Sequence, residues 1–276
     1  MFDGLNARVF LSVPGSGGTT FVRANGLGTT DTLSLEGGSY VFRTVAGDTY
    51  TFNTFGSGVP ALSRGRLVSQ TDASGNRLEF TFNPDGSTAS VKSFLAGQST
   101  PVEIHEYVYL SSGSPNTGKV SRIDIKQGDG TLVRRVSLGY YDGTSSFGRL
   151  GQLASITTRD AAGGILDAKA YRYADGPSGD SLLQYMFDSE AVRRVTAAGL
   201  DIATAARALV APFATSYLEY DSQNRVTRHD VQGAGCSSCT GGIGSFSYAY
   251  ARNPASGLSD SEWHTKTTET RPDGKG

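Results

Sequence analysis

Two cysteines offer the sharpest local chemistry in this chain. Cys236 and Cys239 stand in GAGCSSCTGG, a C-x-x-C between glycine-rich flanks. Such a pair supplies half of a tetrahedral zinc site, so two further ligands would have to come from elsewhere. His229 lies upstream and His264 downstream, and a Cys2His2 set is arithmetically available, but the two histidines are not paired at finger spacing. A redox pair would want a helix N-terminus to depress the thiolate pKa, and here Thr-Gly-Gly and strand-like text follow. A disulfide between Cys236 and Cys239, stapling a loop tip as in small exported proteins, needs no third group. The staple is the expectation taken forward, with no metal and no cofactor; zinc on Cys236, Cys239, His229 and His264, or a pair of free thiols, is the alternative.

The remaining candidates are sparse. His105 is flanked by Glu103 and Glu106, which could be a base and its orienting acid. A surface histidine beside surface acids on a strand reads the same way, and the expectation is no catalytic residue and no enzyme. There is no G-x-S-x-G elbow and no phosphate-binding G-x-x-x-x-G-K-[ST] loop. Asp-Gly pairs such as Asp129-Gly130 lack the regular acidic ligands of calcium loops. Trp263, the single tryptophan, could stack on a sugar ring or fill a strand face.

The elements that would carry these residues repeat. Aromatic or apolar doublets recur at Phe80/Phe82, Tyr107/Tyr109, Leu138/Tyr140, Tyr171/Tyr173, Leu218/Tyr220 and Tyr248/Tyr250, with looser copies at Tyr40/Phe42 and Tyr50/Phe52. The i, i+2 spacing puts both side chains on one face of a strand, and the period is about 30 residues with one enlarged interval. A second element is a left-handed turn residue, a water-facing basic residue and an apolar strand start: Gly65-Arg66-Leu67, Gly118-Lys119-Val120, Gly148-Arg149-Leu150 and Asn224-Arg225-Val226. Asp-x-x-Gly or Asp-Gly closes the other end of each pair, in Asp72–Gly75, Pro84–Gly86, Gly128–Gly130, Asp160–Gly164 and Pro272–Gly274. The reading is strand, turn, strand, turn, with the doublet rings buried on one face. The enlarged interval holds helical text: DSEAVRRVTAAG from Asp188, with Val192 and Val195 one turn apart and Gly199 as its stop, then an Ala-rich run from Thr204 to Ala211 with Leu209 and Val210 on one side.

Composition bounds the class. Of 276 residues 36 are Gly and 9 Pro, and only 18% are charged, so the chain turns often and solvates itself with small polar groups. Its 25 basic and 26 acidic residues leave a net charge of −1 without a basic stripe, which argues against nucleic acid. No apolar run is long enough to span a membrane as a helix, and no signal peptide opens the chain. The close on TKTTETRPDGKG, a turn with no strand to lead into, suggests an internal fragment.

These elements together resemble the RHS/YD-repeat family. The residues that carry the likeness are YLEYDSQNRVTRHDVQG (Tyr217 to Gly233), GYYDG with GRLGQLASITTRD (Gly139 to Asp160), GRLVSQTDASGNRLEFTFNPDGS (Gly65 to Ser87) and YRYADG (Tyr171 to Gly176). Tyr220, Asp221, Arg225 and Val226 match the signature best; Tyr141, Asp142, Gly148, Arg149 and Leu150, and Gly65, Arg66 and Leu67, are further copies. The resemblance implies an all-β fold in which repeated antiparallel hairpins coil into a curved or spiral sheet, here with a small two-helix insertion near 188–211. It divides the chain into lead-in strands at 1–38 and a repeat region at 39–276. It implies a scaffold or shell segment of a larger bacterial protein, secreted or on the cell surface, serving toxin encapsulation or surface interaction. Partners would be the rest of the parent polypeptide and neighbouring repeats, and an encapsulated toxin domain or a cell-surface glycan, with no nucleic acid and no membrane span. The alternative is a carbohydrate-binding adhesion module using exposed aromatics, Trp263 among them.

Overall fold

A computed structural model of the chain describes residues 10–23, 31–231, 244–255 and 263–271. Its contacts divide the chain into two compact units, residues 1–108 with 123–134, and residues 109–122 with 135–276. The first contains β1 (Phe10–Ser12), β2 (Thr20–Arg23), β3 (Thr32–Glu36), β4 (Ser39–Arg43), β5 (Thr49–Asn53), β6 (Leu67–Thr71), β7 (Arg77–Phe82), β8 (Thr88–Phe94) and most of β9 (Glu103–Tyr109). Each of these strands pairs antiparallel with the next. β10 (Val120–Gln127) and β11 (Leu132–Tyr140) contribute residues to both units. The second contains β12 (Leu153–Asp160), β13 (Ile165–Asp175), β14 (Ser181–Phe187), β15 (Ser216–Tyr220), β16 (Val226–Val231), β17 (Gly244–Arg252) and β18 (Thr265–Thr270), again paired antiparallel in chain order. The all-β class with successive hairpins is therefore as expected, and no helix interrupts residues 65–175.

One turn geometry makes these hairpins. In segments 44–48, 72–76, 83–87, 127–131, 160–164, 176–180 and 221–225 the first residue's N–H donates to the fifth residue's carbonyl, and the fourth residue's N–H returns to the first carbonyl. The fourth position is left-handed in each, Gly in every case but Asn224, whose φ is 61°. A three-residue loop closed by a left-handed residue matches the twist of the strands that it joins. The strand returning from such a turn often carries one extra residue: the register shifts at Thr81/Phe82, Thr158/Arg159, Arg172/Tyr173 and Glu219/Tyr220, and at Thr51/Phe52 before a longer loop. Four of the five shifts come at the second ring of a doublet, and the extra residue, Val68, Ala89, Gln184 or Thr227, lies on the strand that faces the ring.

The helical insertion falls where expected. α1 (Ser189–Ala197) starts on Asp188, whose carboxylate accepts from the Ala191 N–H at 2.9 Å, and stops before Gly199, at φ 70°. It buries Ala191 and Val195 against Ala170, Tyr185 and Phe187, with Val210 and Ala214 completing the main core of the second unit. α2 (Arg207–Val210) is one turn long and separates the two residues expected on one side: Val210 is fully buried, Leu209 is 53% exposed. Adjacent positions on a helix point about 100° apart, and the turn passes into the 3-10 segment Ala211–Phe213 at Pro212 before a second apolar position can face the core.

Apart from Phe42, which is 2% exposed, the doublet rings are half-buried rather than buried. In β17, Phe246, Tyr248 and Tyr250 alternate with exposed Ser247 and Ala249, the pattern of a sheet face open to solvent on its far side. The helix-covered core of the second unit lies on the opposite face, because Ala170 and Arg172 alternate with Tyr171 and Tyr173 along β13.

The turns yield a paired expectation. A Cβ at Gly130 meets nothing within 4 Å, so Gly130→Ala should cost only the left-handed backbone penalty, about 1–2 kcal/mol. A Cβ at Gly86 would sit 2.8 Å from the Leu62 Cβ and 3.0 Å from its carbonyl oxygen, so Gly86→Ala should cost more. Urea denaturation of the two variants side by side checks the order.

Candidate functional site

The feature that recurs through the structure is a latch between neighbouring strands. It begins at a left-handed residue: Gly65, Gly118, Gly151 or Asn224. The residue after it, Arg66, Lys119, Gln152 or Arg225, gives its carbonyl to the N–H of Asn53, Leu110, Tyr141 or Asp221 respectively, at 2.9 Å in each. The next residue, Leu67, Val120, Leu153 or Val226, opens β6, β10, β12 or β16. Long loops and the tight Asp221 turn are thus closed by the same pair of hydrogen bonds, whatever is inserted between.

A ring from the following strand completes the latch. The Tyr140 hydroxyl donates to the Val120 carbonyl at 2.9 Å, Tyr173 to Leu153 at 3.0 Å, and Tyr250 to Val226 at 2.7 Å; Tyr220 donates at 2.6 Å to the carbonyl of Leu183, two residues inside β14. The basic residue of the turn covers the ring: Lys119 Nζ is 5.5 Å from the Tyr140 centroid and the Arg225 guanidinium 4.4 Å from that of Tyr250. In the first unit Arg66 stands 4.9 Å over Phe82 and Arg77 4.3 Å over Phe94, where the phenylalanines have no hydroxyl to give. Arg66, Lys119 and Arg225 remain exposed, as expected, while one side of each covers apolar ring surface. Burial pushes the Tyr140, Tyr173 and Tyr220 hydroxyls above the ordinary phenol value, and Tyr141 to about 12.

The signature residues take distinct places. Tyr220 is the latch donor to Leu183; Asp221 accepts from the Gln223 and Arg225 N–H groups and pairs with Arg225, whose Nη2 is 2.7 Å away. Val226 is a latch acceptor. Gly65, Arg66 and Leu67 occupy the turn, cover and strand-start positions. Around 141–152 the stations fall elsewhere than the sequence copy indicates. Tyr140 is the donor, Tyr141 takes the place of Asp221, and Gly151-Gln152-Leu153 take the places read at Gly148-Arg149-Leu150. Gly148 instead seats the buried Tyr141 ring, which a Cβ there would strike at 2.1 Å. Leu150 is 56% exposed and Arg149 pairs with Asp175 at 2.8 Å. Asp142 accepts from Thr144 through its N–H at 2.9 Å and its hydroxyl at 2.7 Å. The extra turn in this loop displaces a three-residue motif by three positions, which local spacing does not register.

Candidates for chemistry are not assembled by the fold among the described residues. His105 Nε2 is 2.7 Å from Glu103 Oε1 on an exposed face of β9, while Glu106 points to the other face and takes Lys126 Nζ at 2.6 Å. His229 shares a 3.2 Å hydrogen bond with Ser216 Oγ and lies 6.3 Å from the Phe246 ring. His264 offers its carbonyl to the Asn253 N–H at 3.0 Å. Among the described residues no three His, Cys, Asp or Glu side chains come together in a way that could hold a metal. Cys236, Cys239 and the turn Pro272–Gly274 lie outside the described residues. Trp263 precedes β18 and is 48% exposed, so it does not fill a strand face.

Sequence reading missed Arg172. It is 1% exposed, stacks 3.9 Å over Phe147, and donates to the carbonyls of Ile202 and Ala205, the latter at 2.5 Å. It thereby ties β13 to the segment between α1 and α2. Desolvation pulls its pKa down, partly offset by Tyr141 and Asp201. The one available signal was its place between Tyr171 and Tyr173, which sends it to the face under the helices.

Two outcomes follow. Tyr250→Phe removes the hydroxyl but keeps the ring, so it should cost about 0.5–1.5 kcal/mol in urea denaturation. Turn carboxylates supply a pH dependence. Side-chain hydrogen bonds hold Asp221 (from Arg225), Asp72 (from Asn76), Asp85 (from Ser87), Asp142 (from Thr144) and Asp180 (from Asn224) below the ordinary carboxylate value, and the Thr131 N–H does so for Asp129. A depressed folded pKa contributes stability that is complete above the unfolded value, near 3.8, and is lost as pH falls through the folded values. The urea midpoint should therefore hold steady above about pH 5 and fall below it as these groups protonate, less steeply in Asp221→Asn.

Neither a scan against protein-family models nor a search of curated proteins finds a match. Among solved structures, the chain is similar to TcdB2-TccC3 without its hypervariable C-terminal region at 11% identity and a TM-score of 0.39, covering 86% of this chain and 11% of that one. A porin-like protein from Bacteroides uniformis is 12% identical with a TM-score of 0.28, over 65% of this chain and 86% of the other. The Photorhabdus luminescens Tc holotoxin pore is 11% identical with a TM-score of 0.23, over 84% of this chain and 15% of the other. This chain thus spans about a tenth of the TcdB2-TccC3 chain.

Proposed function

We propose that the chain is a structural repeat segment, a scaffold or shell piece of a larger exported or cell-surface polypeptide of the RHS/YD-repeat type, and not an enzyme. The observation that carries this reading is the latch, in which the recurring aromatic, turn and basic residues are spent on joining one strand to the next. A repeat of that kind has no single focus; its product is a length of sheet. Enclosure of a toxin domain, or display at a cell surface, is the role such a sheet would serve within the parent.

A second reading has one observation in its favour. Phe10, Phe21, Leu33, Tyr40, Phe52 and Phe55 line an open cleft of about 300 Å³, and Phe55 is 67% exposed. A carbohydrate-binding module would stack sugar rings on such aromatics, or on Trp263.

Cross-linking of the native polypeptide from cells, read by mass spectrometry, separates the two. A shell segment should link Lys92, Lys126 and Lys169 to other segments of the same polypeptide. Links confined to this segment, together with saturable binding on a glycan array that Phe55→Ala abolishes, would establish the adhesion module instead.

A further inference from the structure

Several ring faces in this protein are covered by a cation from the chain itself: Arg66 lies over Phe82, Arg77 over Phe94, Lys119 over Tyr140 and Arg225 over Tyr250. One group of rings has no such cover. Phe21, Tyr40 and Phe52 share a face of the first unit's sheet, since Phe21 pairs across to Leu33, Leu33 to Phe42, and Tyr40, two residues before Phe42, to Phe52. With Phe10, Leu33 and Phe55 they line the cleft of about 300 Å³. Among the described residues no basic side chain stands over any of its five rings. Arg64 and Arg66 flank Gly65 in the cleft wall, but Arg64 is turned to the Val59 carbonyl at 3.0 Å and Arg66 to Phe82. Arg43 pairs with Glu36 at 2.7 Å on the other face of β4.

The rings form walls and not a platform. Phe21 and Tyr40 meet at 72° with centroids 5.7 Å apart, and Tyr40 and Phe55 at 49° and 6.0 Å. Phe55 stands against the backbone of Gly65, where a Cβ would meet its ring at 2.8 Å, so the left-handed glycine that begins the latch also makes room for this wall. A sugar stacks on a flat ring face and brings hydroxyls that need partners. Here the faces are inclined, and Tyr40 carries the one polar side-chain group of the lining. A primary ammonium or a guanidinium would lose water from its N–H groups without gaining acceptors. A quaternary ammonium has no N–H to satisfy, and ring faces alone attract its charge.

We propose that this cleft is an aromatic cage for a small quaternary ammonium cation of the choline type, whose trimethylammonium group enters between Phe21, Tyr40 and Phe55. The ligand supplies over these rings the cation that the chain supplies for itself over Phe82, Phe94, Tyr140 and Tyr250. The inference does not depend on the scaffold role, and it differs from the sugar reading of the same cleft in the charge of the ligand.

The test is a titration of choline with the full 276-residue chain, followed by NMR through the methyl protons of the ligand. Their signal should move upfield and saturate, because ring faces shield what sits over them. Neohexyl alcohol, the uncharged tert-butyl analogue of choline, should bind roughly three- to thirtyfold more weakly, the worth of a cation over aromatic faces. Phe55→Leu, at a position 67% exposed, should weaken choline about threefold or more and leave the analogue nearly unchanged, whereas Phe55→Trp should hold choline at least as tightly. Phe21→Leu serves if the first variant unfolds. Phosphocholine decides the source: binding equal to that of choline assigns the cage to a headgroup, and much weaker binding assigns it to the free cation. Equal binding of choline and its analogue would overturn the proposal and leave a plain apolar cleft. So would a choline shift that survives both leucine variants, no shift at all, or glycan binding lost in Phe55→Leu from a chain that ignores choline.

Discussion

A tyrosine laid across its neighbouring strand must find an acceptor for its hydroxyl, and at Tyr140, Tyr173 and Tyr250 the acceptor is the carbonyl that opens that strand. The rest of the second unit follows from this requirement. The carbonyl is free to accept only because the preceding residue has turned its own carbonyl into the hairpin closure, and that closure depends on a left-handed residue one step earlier. The donor ring reaches it from the next strand, and at Tyr173 the register shift falls on the ring itself. Turn, bulge, ring and carbonyl are therefore one device. Losing the left-handed residue would disturb the latch as surely as losing the hydroxyl.

Each latch is weak. A hydrogen bond of this kind contributes about 0.5–1.5 kcal/mol, and an exposed cation over a ring about 0.5–1 kcal/mol. Strength comes from repetition, with β11, β13, β15 and β17 each held to the strand before by a tyrosine hydroxyl. The half-buried rings suit that arrangement, because each leaves one side open, and at Tyr140 and Tyr250 a basic side chain covers part of it. The conventional core of the second unit sits on the opposite face, where α1, Val210 and Ala214 cover Ala170, Tyr185 and Phe187. Arg172 is spent there on two carbonyls of the inter-helix segment and the Phe147 ring, and its Nη1 has no partner among the described residues.

The two units meet the same strand-joining problem differently. In the first, Phe82 and Phe94 sit under Arg66 and Arg77 without a hydroxyl, and Phe10, Phe42 and Tyr50, like Phe21, Tyr40 and Phe55, contact one another ring to ring. Aromatic contact there takes the place of the directional cap, which leaves Phe55 exposed and a cleft open beside it.

Local spacing was enough to determine the strand class, the hairpins, the turns at Asp72, Asp160 and Asp221, and the start and stop of α1, because each is set by residues within about five positions of one another and by backbone angles that few residues adopt. The latch was half legible: Gly65-Arg66-Leu67 and Asn224-Arg225-Val226 were found as turn and strand start, but that the basic residue covers a ring from the following strand is a contact across more than fifteen residues. The copy at 148–150 shows the limit. Gly148 and Gly151 both precede a polar residue and a leucine, and only the closure between Tyr141 and Gln152 decides which glycine turns the chain and which makes room for a ring. Tertiary structure alone also buried Arg172 and left Trp263 exposed, since burial depends on what a distant loop brings over a position and not on the residues beside it in the chain.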